Sequence, residues 1–258
     1  MQRYITPGTV MRNRFRHRPA PAWRLAILCF RDYTGSQILV EAFGATPVGY
    51  KVLYGMEEFD GAPIVYEAEL AGGKVGIVTR CNWGGPQAAI LVEELAELGV
   101  EWIIGYGAAG SIDKRIAKGK QLIASRTLLS DGTSRAYRKD EPYLECDAGF
   151  LRTALEAVEA NGLTGDVRET TAATIDALYR ETKELVEELR SAGAEIVNME
   201  TSALYAVSRV CGIKSVWIGF VSDCLVDDDW DDWHVNLSEL AATTSRICLE
   251  VARRTLDQ

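Results

Sequence analysis

The stretch RCNWGGPQAAILVEELAELGVEWIIGYGAAGSI (residues 80–112) contains the signals of a turn, a helix and a strand in direct succession. Gly84 and Gly85 form the turn, and the apolar residues that follow recur at helical spacing until Gly99 ends the segment. EWIIGYG then has the apolar character of a buried strand. This succession is typical of α/β proteins, in which helices cover the faces of a central sheet.

The same alternation continues on both sides of this stretch. Helical patterns separate the strand-like runs, which are 23–30, 51–56, 63–70, 74–81, 120–129, 166–175, 196–200 and 214–223. We therefore predict one α/β domain over residues 23–258, with a mixed central sheet and helices on both faces. Ligands of such sheets bind at the carboxyl ends of strands, which points to the segments after Phe30, Gly105 and Ser222.

Residues 1–22 differ from the rest because they contain five arginines and no acidic residue. We predict a basic N-terminal arm that is flexible or clasps a neighbouring subunit, since Pro19 and Pro21 fall just before the first strand. An organelle transit peptide is the alternative explanation of this composition.

The bulk composition argues against several classes of function. A net charge of −9 disfavours a nucleic-acid partner, which normally requires a basic face. The chain has two histidines, and six cysteines without a CxxC pair, so we expect no metal, no cofactor and no disulfide framework. No apolar run has the length of a membrane span, and we expect a cytoplasmic protein with a small-molecule partner.

A second informative stretch is VNMETSALYAVSRVCGIKSVWIGFVSD (197–223). Its start places a carboxylate beside a methionine at the end of a short strand. Glu200 can accept hydrogen bonds from vicinal hydroxyls while Met199 covers the apolar face of a ribose. The structural alternative is that Glu200 is an acid at a helix N-terminus, favoured by the helix dipole.

Together the two stretches resemble the nucleoside phosphorylase family, which includes purine nucleoside phosphorylases, uridine phosphorylases and nucleosidases. The resemblance covers most of residues 23–258 and implies cleavage of the bond between ribose and a nucleobase. It implies that Asp223 is catalytic, because a carboxylic acid that hydrogen-bonds purine N7 relieves the negative charge on the departing base. The predicted substrate-binding residues are Met199, Glu200, Asn198, Trp83, Leu178, Ser222 and His234.

The choice of base and the oligomeric state also follow from the resemblance. Uridine-specific relatives use a glutamine and an arginine where this chain has Thr182 and Glu184, which favours a purine or modified purine. DGTSRAYR (131–138) resembles a segment that completes the sugar pocket of a neighbouring subunit, so Arg135 or Tyr137 is predicted to act across a homodimer or a hexamer (a trimer of dimers). A plain surface turn is the alternative.

The chain departs from the family at the phosphate site. Phosphorolytic members use an arginine and a hydroxyl side chain where this sequence has Gly105 and Ala108. The residues predicted to form a replacement phosphate or water site are Arg31, Arg80, Gly84, Gly85 and Ala108. Glycosidases of the same family activate water with a carboxylate instead. Asp32 is the predicted catalytic base for that chemistry, with Glu57 or Glu58 as alternatives.

The resulting prediction is phosphorolysis of a purine nucleoside to base and ribose 1-phosphate, with inorganic phosphate as co-substrate. A phosphate-independent nucleoside hydrolase is the alternative, since it explains the missing anion ligands directly. A protein that binds a nucleoside without cleaving it is the third hypothesis.

Overall fold

A computed structural model describes residues 3–30, 33–58, 61–226 and 229–258. Within these residues the chain forms one mixed sheet and eight α-helices. The predicted fold class, a mixed central sheet covered by helices on both faces, is confirmed.

The strands are numbered in chain order and account for most of the buried apolar runs of the sequence. They are β1 (Trp23–Cys29), β2 (Thr46–Pro47), β3 (Val65–Leu70), β4 (Gly73–Val78), β5 (Trp102–Ser111), β6 (Gln121–Leu128), β7 (Tyr143–Glu145), β8 (Val167–Thr174), β9 (Ile196–Asn198) and β10 (Lys214–Cys224).

The helices lie between the strands and at both ends of the chain. They are α1 (Pro7–Arg14), α2 (Tyr33–Phe43), α3 (Gly85–Glu97), α4 (Gly132–Arg138), α5 (Ala148–Ala160), α6 (Lys183–Ser191), α7 (Thr201–Cys211) and α8 (Leu237–Leu256). A single turn of 3-10 helix, Leu178–Arg180, precedes α6.

The sheet closes on itself at one end. β5 pairs with β10, β10 with β6, β6 with β8, β8 with β9, and β9 returns to β5. From this ring the sheet continues through β1 and β4 to the antiparallel β3 and β2. Five strands in a ring bring their inward-facing side chains close together, so residues far apart in sequence meet there.

The apolar core has two large clusters on opposite faces of the sheet. Alternate residues of β1 show this division, because Ala26 and Leu28 belong to one cluster while Leu25 and Ile27 belong to the other. Helices α1, α3, α4 and α7 pack together on one face, and α2, α5 and α8 pack together on the other.

Two sequence-based assignments need correction. The run KVLYGM (51–56) was predicted as a strand, but it forms turns, and its buried Val52 and Leu53 pack into the core by their side chains alone. The strand EWIIGYG (101–107) was predicted to end at Gly107, but β5 continues through Gly110 to Ser111. Continued pairing with β10 keeps this segment extended, and glycines leave room above it.

The N-terminal residues include a helix that is attached to the domain. α1 packs against α3, and Met11 is buried in the core. The Arg14 guanidinium donates to Glu94 Oε2 at 3.0 Å and to the carbonyl oxygen of Val52 at 2.8 Å. Of the described helices, none is both long and apolar enough to cross a membrane.

Candidate active site

The carboxyl groups of Glu200 and Asp223 meet in one cavity of about 110 Å³ beside β5, β9 and β10. Larger cavities lie elsewhere, one of about 360 Å³ beside Met56 and Ile64, but they contain neither Glu200 nor Asp223. The residues that line the cavity are Trp83, Ala108, Ala109, Gly110, Leu178, Glu181, Val197, Asn198, Met199, Glu200, Ser222, Asp223 and Trp233.

Glu200 lies at the N-terminus of α7 and is 2% exposed. Its Oε2 accepts a hydrogen bond from the backbone N–H of Met199 at 3.2 Å. Burial raises the pKa of this carboxyl to about 8, because the charged form loses its hydration, and the hydrogen bond from Met199 only partly offsets this effect. Glu200 is therefore largely protonated at neutral pH, and both of its oxygens act only as hydrogen-bond acceptors once the carboxyl ionises.

Asn198 holds the start of α7 in place. Its Oδ1 accepts hydrogen bonds from the backbone N–H groups of Glu200 and Thr201 at 3.3 and 3.2 Å, and its Nδ2 donates to Thr201 Oγ1 at 2.6 Å. Thr174 Oγ1 contacts the same amide oxygen at 3.2 Å. Since both ends of the amide have protein partners, Asn198 orients Glu200 rather than presenting a free group to a ligand.

Trp217 fills the space above three glycines and borders Glu200. A Cβ atom at Gly105 would lie 2.9 Å from this ring, and one at Gly219 would lie 2.5 Å from it. A Cβ at Gly107 would lie 3.4 Å from the indole Nε1 and 3.2 Å from Glu200 Oε1. The indole N–H is close enough to favour the ionised carboxylate, although the contact falls short of hydrogen-bond geometry. The glycines are therefore required by the buried indole.

Asp223 lies near the end of β10 and is 7% exposed. The pairing with β5 shifts by one residue between Val221 and Asp223, so Ser222 forms a bulge that turns the carboxyl toward the cavity. Ser222 Oγ donates to Asp223 Oδ1 at 2.7 Å, and Trp230 Nε1 donates to Asp223 Oδ2 at 2.9 Å. Two donors on two oxygens fix the plane of the carboxyl group.

The segment after β10 carries an aromatic pair over this end of the cavity. The rings of Trp230 and Trp233 meet edge to face with their centroids 4.6 Å apart. Trp233 lines the cavity and is 53% exposed, so it lies at the mouth. Backbone hydrogen bonds of 3.0 and 3.1 Å between Cys224 and Asp231 anchor the segment.

Glu181 brings a third carboxyl group to the cavity. It follows the 3-10 turn that also supplies Leu178. Burial, and secondly the negative charge of Asp223, raise the pKa of Glu181 to about 7. In the part of the chain that the structure describes, its carboxyl has no hydrogen-bond or ion-pair partner.

Most of the predicted substrate residues meet in this cavity. Among the predicted set, the lining contains Trp83, Leu178, Asn198, Met199, Glu200, Ser222, Asp223 and Ala108. His234 is not part of the lining; its side chain is 91% exposed and its Nδ1 lies 2.6 Å from Asp232 Oδ1. The histidine is therefore turned toward solvent and an acidic neighbour.

Of the described residues predicted to form an anion site, Ala108 lines the cavity, whereas Gly84, Gly85 and Arg80 are not in its lining. Gly85 is buried against α4, since a Cβ there would lie 2.8 Å from Thr133 and 2.9 Å from Asp131 Oδ2. Gly84 has a φ of 118°, which lets the chain enter α3. A carboxylate beside this helix start opposes an anion, so the glycine pair serves packing and the turn.

Arg80 lies beside a different cavity, of about 370 Å³, whose lining includes Glu57 and Glu58. These two acids, predicted as alternative bases, are likewise absent from the lining around Asp223. Arg31 and Asp32 fall outside the described residues, so their predicted roles stay predictions.

The predicted subunit-contact residues both lie on α4. Arg135 is exposed and its Nε donates to the carbonyl oxygen of Leu129 at 3.0 Å. Tyr137 is partly buried, and burial together with nearby Glu93 raises the pKa of its phenol. Their contribution to a dimer or hexamer stays a prediction.

Glu181 and Trp233 were missed by the sequence analysis. Glu181 lies three residues after Leu178, and its spacing alone resembles that of an exposed residue before a helix. Trp233 belongs to the acidic segment DDDWDDW, whose composition suggests a solvated loop. Hydrogen bonding of Trp230 to Asp223 draws that segment over the cavity, and no local pattern predicts such a contact.

In the described part of the chain, no group of three or more histidine, cysteine, aspartate or glutamate side chains has an arrangement that could hold a metal ion. The six cysteines are free thiols.

The fold and the pair of buried carboxyls define an α/β protein with a carboxyl-lined cavity beside its central sheet. A model of the phosphorylase superfamily matches residues 54–253. The chain belongs to this superfamily, whose members are nucleoside phosphorylases or hydrolases, as its resemblance to the nucleoside phosphorylase family predicted.

Three relatives show the range of similarity. A protein of Acanthamoeba polyphaga mimivirus is 32% identical over 63% of this chain and 62% of its own length. A uridine phosphorylase of Thermococcus kodakarensis is 29% identical over 54% of each chain. A DeoD-type purine nucleoside phosphorylase of Bacillus cereus is 28% identical over 88% of this chain and 91% of its own. This chain thus matches less than two thirds of the length of the first two.

A solved structure shows the same fold. It is that of a futalosine hydrolase mutant of Helicobacter pylori, with a TM-score of 0.70 and 16% identity. The superposition covers 90% of this chain and 99% of the other.

Proposed function

We propose that this protein hydrolyses the N-glycosidic bond of a purine nucleoside, releasing the free base and the free sugar. One observation carries the choice of water over phosphate. The described lining of the cavity contains three carboxyl groups, Glu181, Glu200 and Asp223, and no lysine, arginine or histidine. None of these described lining residues offers a phosphate dianion a compensating positive charge.

The position that phosphorolytic relatives use for arginine supports the same choice. Gly105 is enclosed by Leu204 and Trp217, and a Cβ atom there would lie 2.7 Å from the Leu204 side chain. No larger residue fits without displacing the indole that borders Glu200. Ala108 supplies a methyl group where those relatives have a hydroxyl.

In the proposed reaction the bond between the sugar C1′ and the base nitrogen breaks, and its electron pair stays on the base. Asp223 faces the base and shares a proton with N7, which relieves the developing negative charge. Glu200, when ionised, accepts hydrogen bonds from the sugar hydroxyls and stabilises the positive charge on the sugar. A water oxygen bonds to C1′ and loses a proton. That proton replaces the one that the protonated Asp223 carboxyl gives to the base, so the acid is restored for the next turnover.

The purine part of the proposal rests on the environment of Asp223 and on two side chains that point away from pyrimidine recognition. Thr182 Oγ1 accepts a hydrogen bond from the backbone N–H of Leu185 at 3.2 Å and caps the N-terminus of α6. Glu184 is exposed in the first turn of that helix. Neither offers the paired donors that a uracil edge requires.

Phosphorolysis is the second candidate, because relatives such as the Bacillus cereus protein carry the name of phosphorylases. Hydrolysis and phosphorolysis release the same base but different sugar products, free ribose and ribose 1-phosphate. Purified protein should be incubated with inosine, adenosine, guanosine and uridine, with and without phosphate, and the sugar product identified. Hydrolysis predicts free ribose at equal rates in both conditions. Ribose 1-phosphate formed only with phosphate would overturn it in favour of phosphorolysis.

Asp223→Asn tests the proposed acid in the same assay. We expect kcat to fall by about 100-fold or more, since general acid assistance contributes on that order, while calorimetry shows that the nucleoside still binds. Asp140→Asn is the matched control, because Asp140 is exposed between α4 and β7. Unchanged turnover in Asp223→Asn would remove this residue from the mechanism.

A further inference from the structure

Glu181 is the one carboxyl in the cavity lining that the proposed reaction does not use. It lines the cavity of Asp223 and also a second cavity of about 320 Å³. The wall of the second cavity contains apolar residues together with the charged residues Lys183, Glu187, Arg190 and Asp229. The carboxyl therefore lies where the two cavities adjoin. It is partly buried, and in the described part of the chain no cation or hydrogen-bond donor satisfies it.

Glu181 lies at the end of the site that is assigned to the base, because it shares the cavity lining with Asp223 and is affected by the charge of that residue. Its protonation responds to Asp223, the group assigned to the base, whereas that of Glu200 responds to burial, Met199 and Trp217. The residue three positions earlier, Leu178, lines the same cavity with an apolar side chain. A planar base between Leu178 and Asp223 would present an edge toward Glu181.

We propose that Glu181 is a specificity-determining residue that selects purines with N–H donors on the edge of the six-membered ring. A partly buried carboxylate without a partner gains two hydrogen bonds from a base that offers two such donors. A base with only acceptor nitrogens on that edge repels the ionised carboxylate and gains at most one hydrogen bond, from the protonated carboxyl. Sites of this kind reject ligands that lack the donor.

This inference rests on the proposed function, and it concerns recognition rather than bond cleavage. Loss of Glu181 also changes the electrostatic surroundings of Asp223, which affects every purine nucleoside alike. The informative quantity is therefore a ratio between two substrates, in which such a common effect cancels. Guanosine carries N–H donors on the six-membered ring, and purine riboside, which has the same sugar, carries none.

The experiment compares kcat/KM for guanosine and purine riboside in the wild type, Glu181→Ala and Glu181→Gln. The exposed Glu159 of α5 gives the matched control, Glu159→Ala. We expect the guanosine preference of the wild type to fall by about 10- to 100-fold in Glu181→Ala, as for loss of charged hydrogen bonds. Glu181→Gln should retain part of the preference, since its amide oxygen still accepts a hydrogen bond. A ratio unchanged in Glu181→Ala would overturn the inference.

Binding of the free bases separates this inference from the proposed function. Calorimetry with guanine analogues of adequate solubility and with unsubstituted purine measures the preference without any cleavage. If the wild type cleaves no nucleoside but binds the donor-bearing base more tightly, and Glu181→Ala loses that preference, the proposed function fails and the inference stands. Equal loss of affinity for both bases in Glu181→Ala would refute the inference, whatever the cleavage assay gives.

Discussion

The chemistry of the cavity is decided by how single carboxyl groups are surrounded. Asp223 has a donor on each oxygen, whereas Glu200 is fully buried with one backbone donor and a nearby indole. In the surroundings of Glu200, the loss of hydration of the charged carboxylate outweighs the few nearby hydrogen-bond donors. Its pKa is raised to about 8 as a result. Two acids of the same type are thereby suited to two different tasks.

The raised pKa of Glu200 predicts the pH dependence of the reaction. Only the ionised carboxylate accepts hydrogen bonds from both hydroxyls of a sugar, and its fraction grows as pH rises through about 8. We expect kcat/KM to rise with pH over that range, because this parameter reports ionisations of the free enzyme. The measurement is a pH profile between 6 and 9.5 in the wild type and in Glu200→Gln.

The pKa of Glu181 is raised to about 7, close to that of Glu200. The Glu200→Gln variant is therefore needed to decide which of the two residues causes each change in the pH profile. In Glu200→Gln the limb near 8 should disappear while any limb near 7 remains. A wild-type profile that is flat above pH 7 would contradict the assignment of the ionised form to sugar binding.

At the scale of elements, the strands of the ring are shaped by glycine. Gly105 and Gly107 on β5 and Gly219 on β10 leave the volume that Trp217 occupies. In the described structure these three glycines make room for one large buried side chain. The same side chain then helps to set the charge of Glu200.

This packing predicts a stability effect at Gly105. Gly105→Ala places a methyl group 2.7 Å from Leu204 Cδ2 and 2.9 Å from Trp217 Cδ1, so the free energy of unfolding should fall by about 1–3 kcal/mol, as for overpacked cores. Gly165→Ala is the control, because nothing lies within 4 Å of a Cβ there. Urea denaturation of the three proteins measures the effect. Equal urea midpoints for Gly105→Ala and the wild type would show that the residues around Gly105 accommodate a methyl group without strain.

The alternation of strands and helices was predictable because buried runs and helical spacing are local properties. Residues 51–56 were mistaken for a strand because Val52 and Leu53 are buried by α3 and its surroundings rather than by sheet pairing. The motifs around Glu200 and Asp223 were likewise local. Glu181 and Trp233 were not predictable, since their place in the site depends on the path of the chain after β8 and β10.

At the scale of the whole molecule, the N-terminal helix is joined to the domain by a buried charge pair. The side chains of Arg14 and Glu94 are 11% and 5% exposed. Glu94 Oε2 also accepts the backbone N–H of Tyr54 at 2.7 Å. One carboxylate thus connects α1, α3 and the segment that the sequence had suggested as a strand.

Removing the cation should therefore be costly. Arg14→Met leaves the Glu94 carboxylate buried without its partner, and we expect a loss of about 3 kcal/mol in the free energy of unfolding. Glu94→Gln added to Arg14→Met should recover part of that loss, because the charge is then gone as well. Arg12→Met, at an exposed position of the same helix, is the control in thermal or urea unfolding. A loss no larger than that of the control would mean that α1 is held by apolar contacts alone.

The hydrogen bond from Trp230 to Asp223 connects the carboxyl to the mouth of the cavity. Trp230 packs on Trp233, which borders the opening, so any displacement of the Trp230 ring would also remove one of the two hydrogen-bond donors of Asp223. The orientation of the carboxyl group is therefore coupled to the position of the aromatic pair at the mouth.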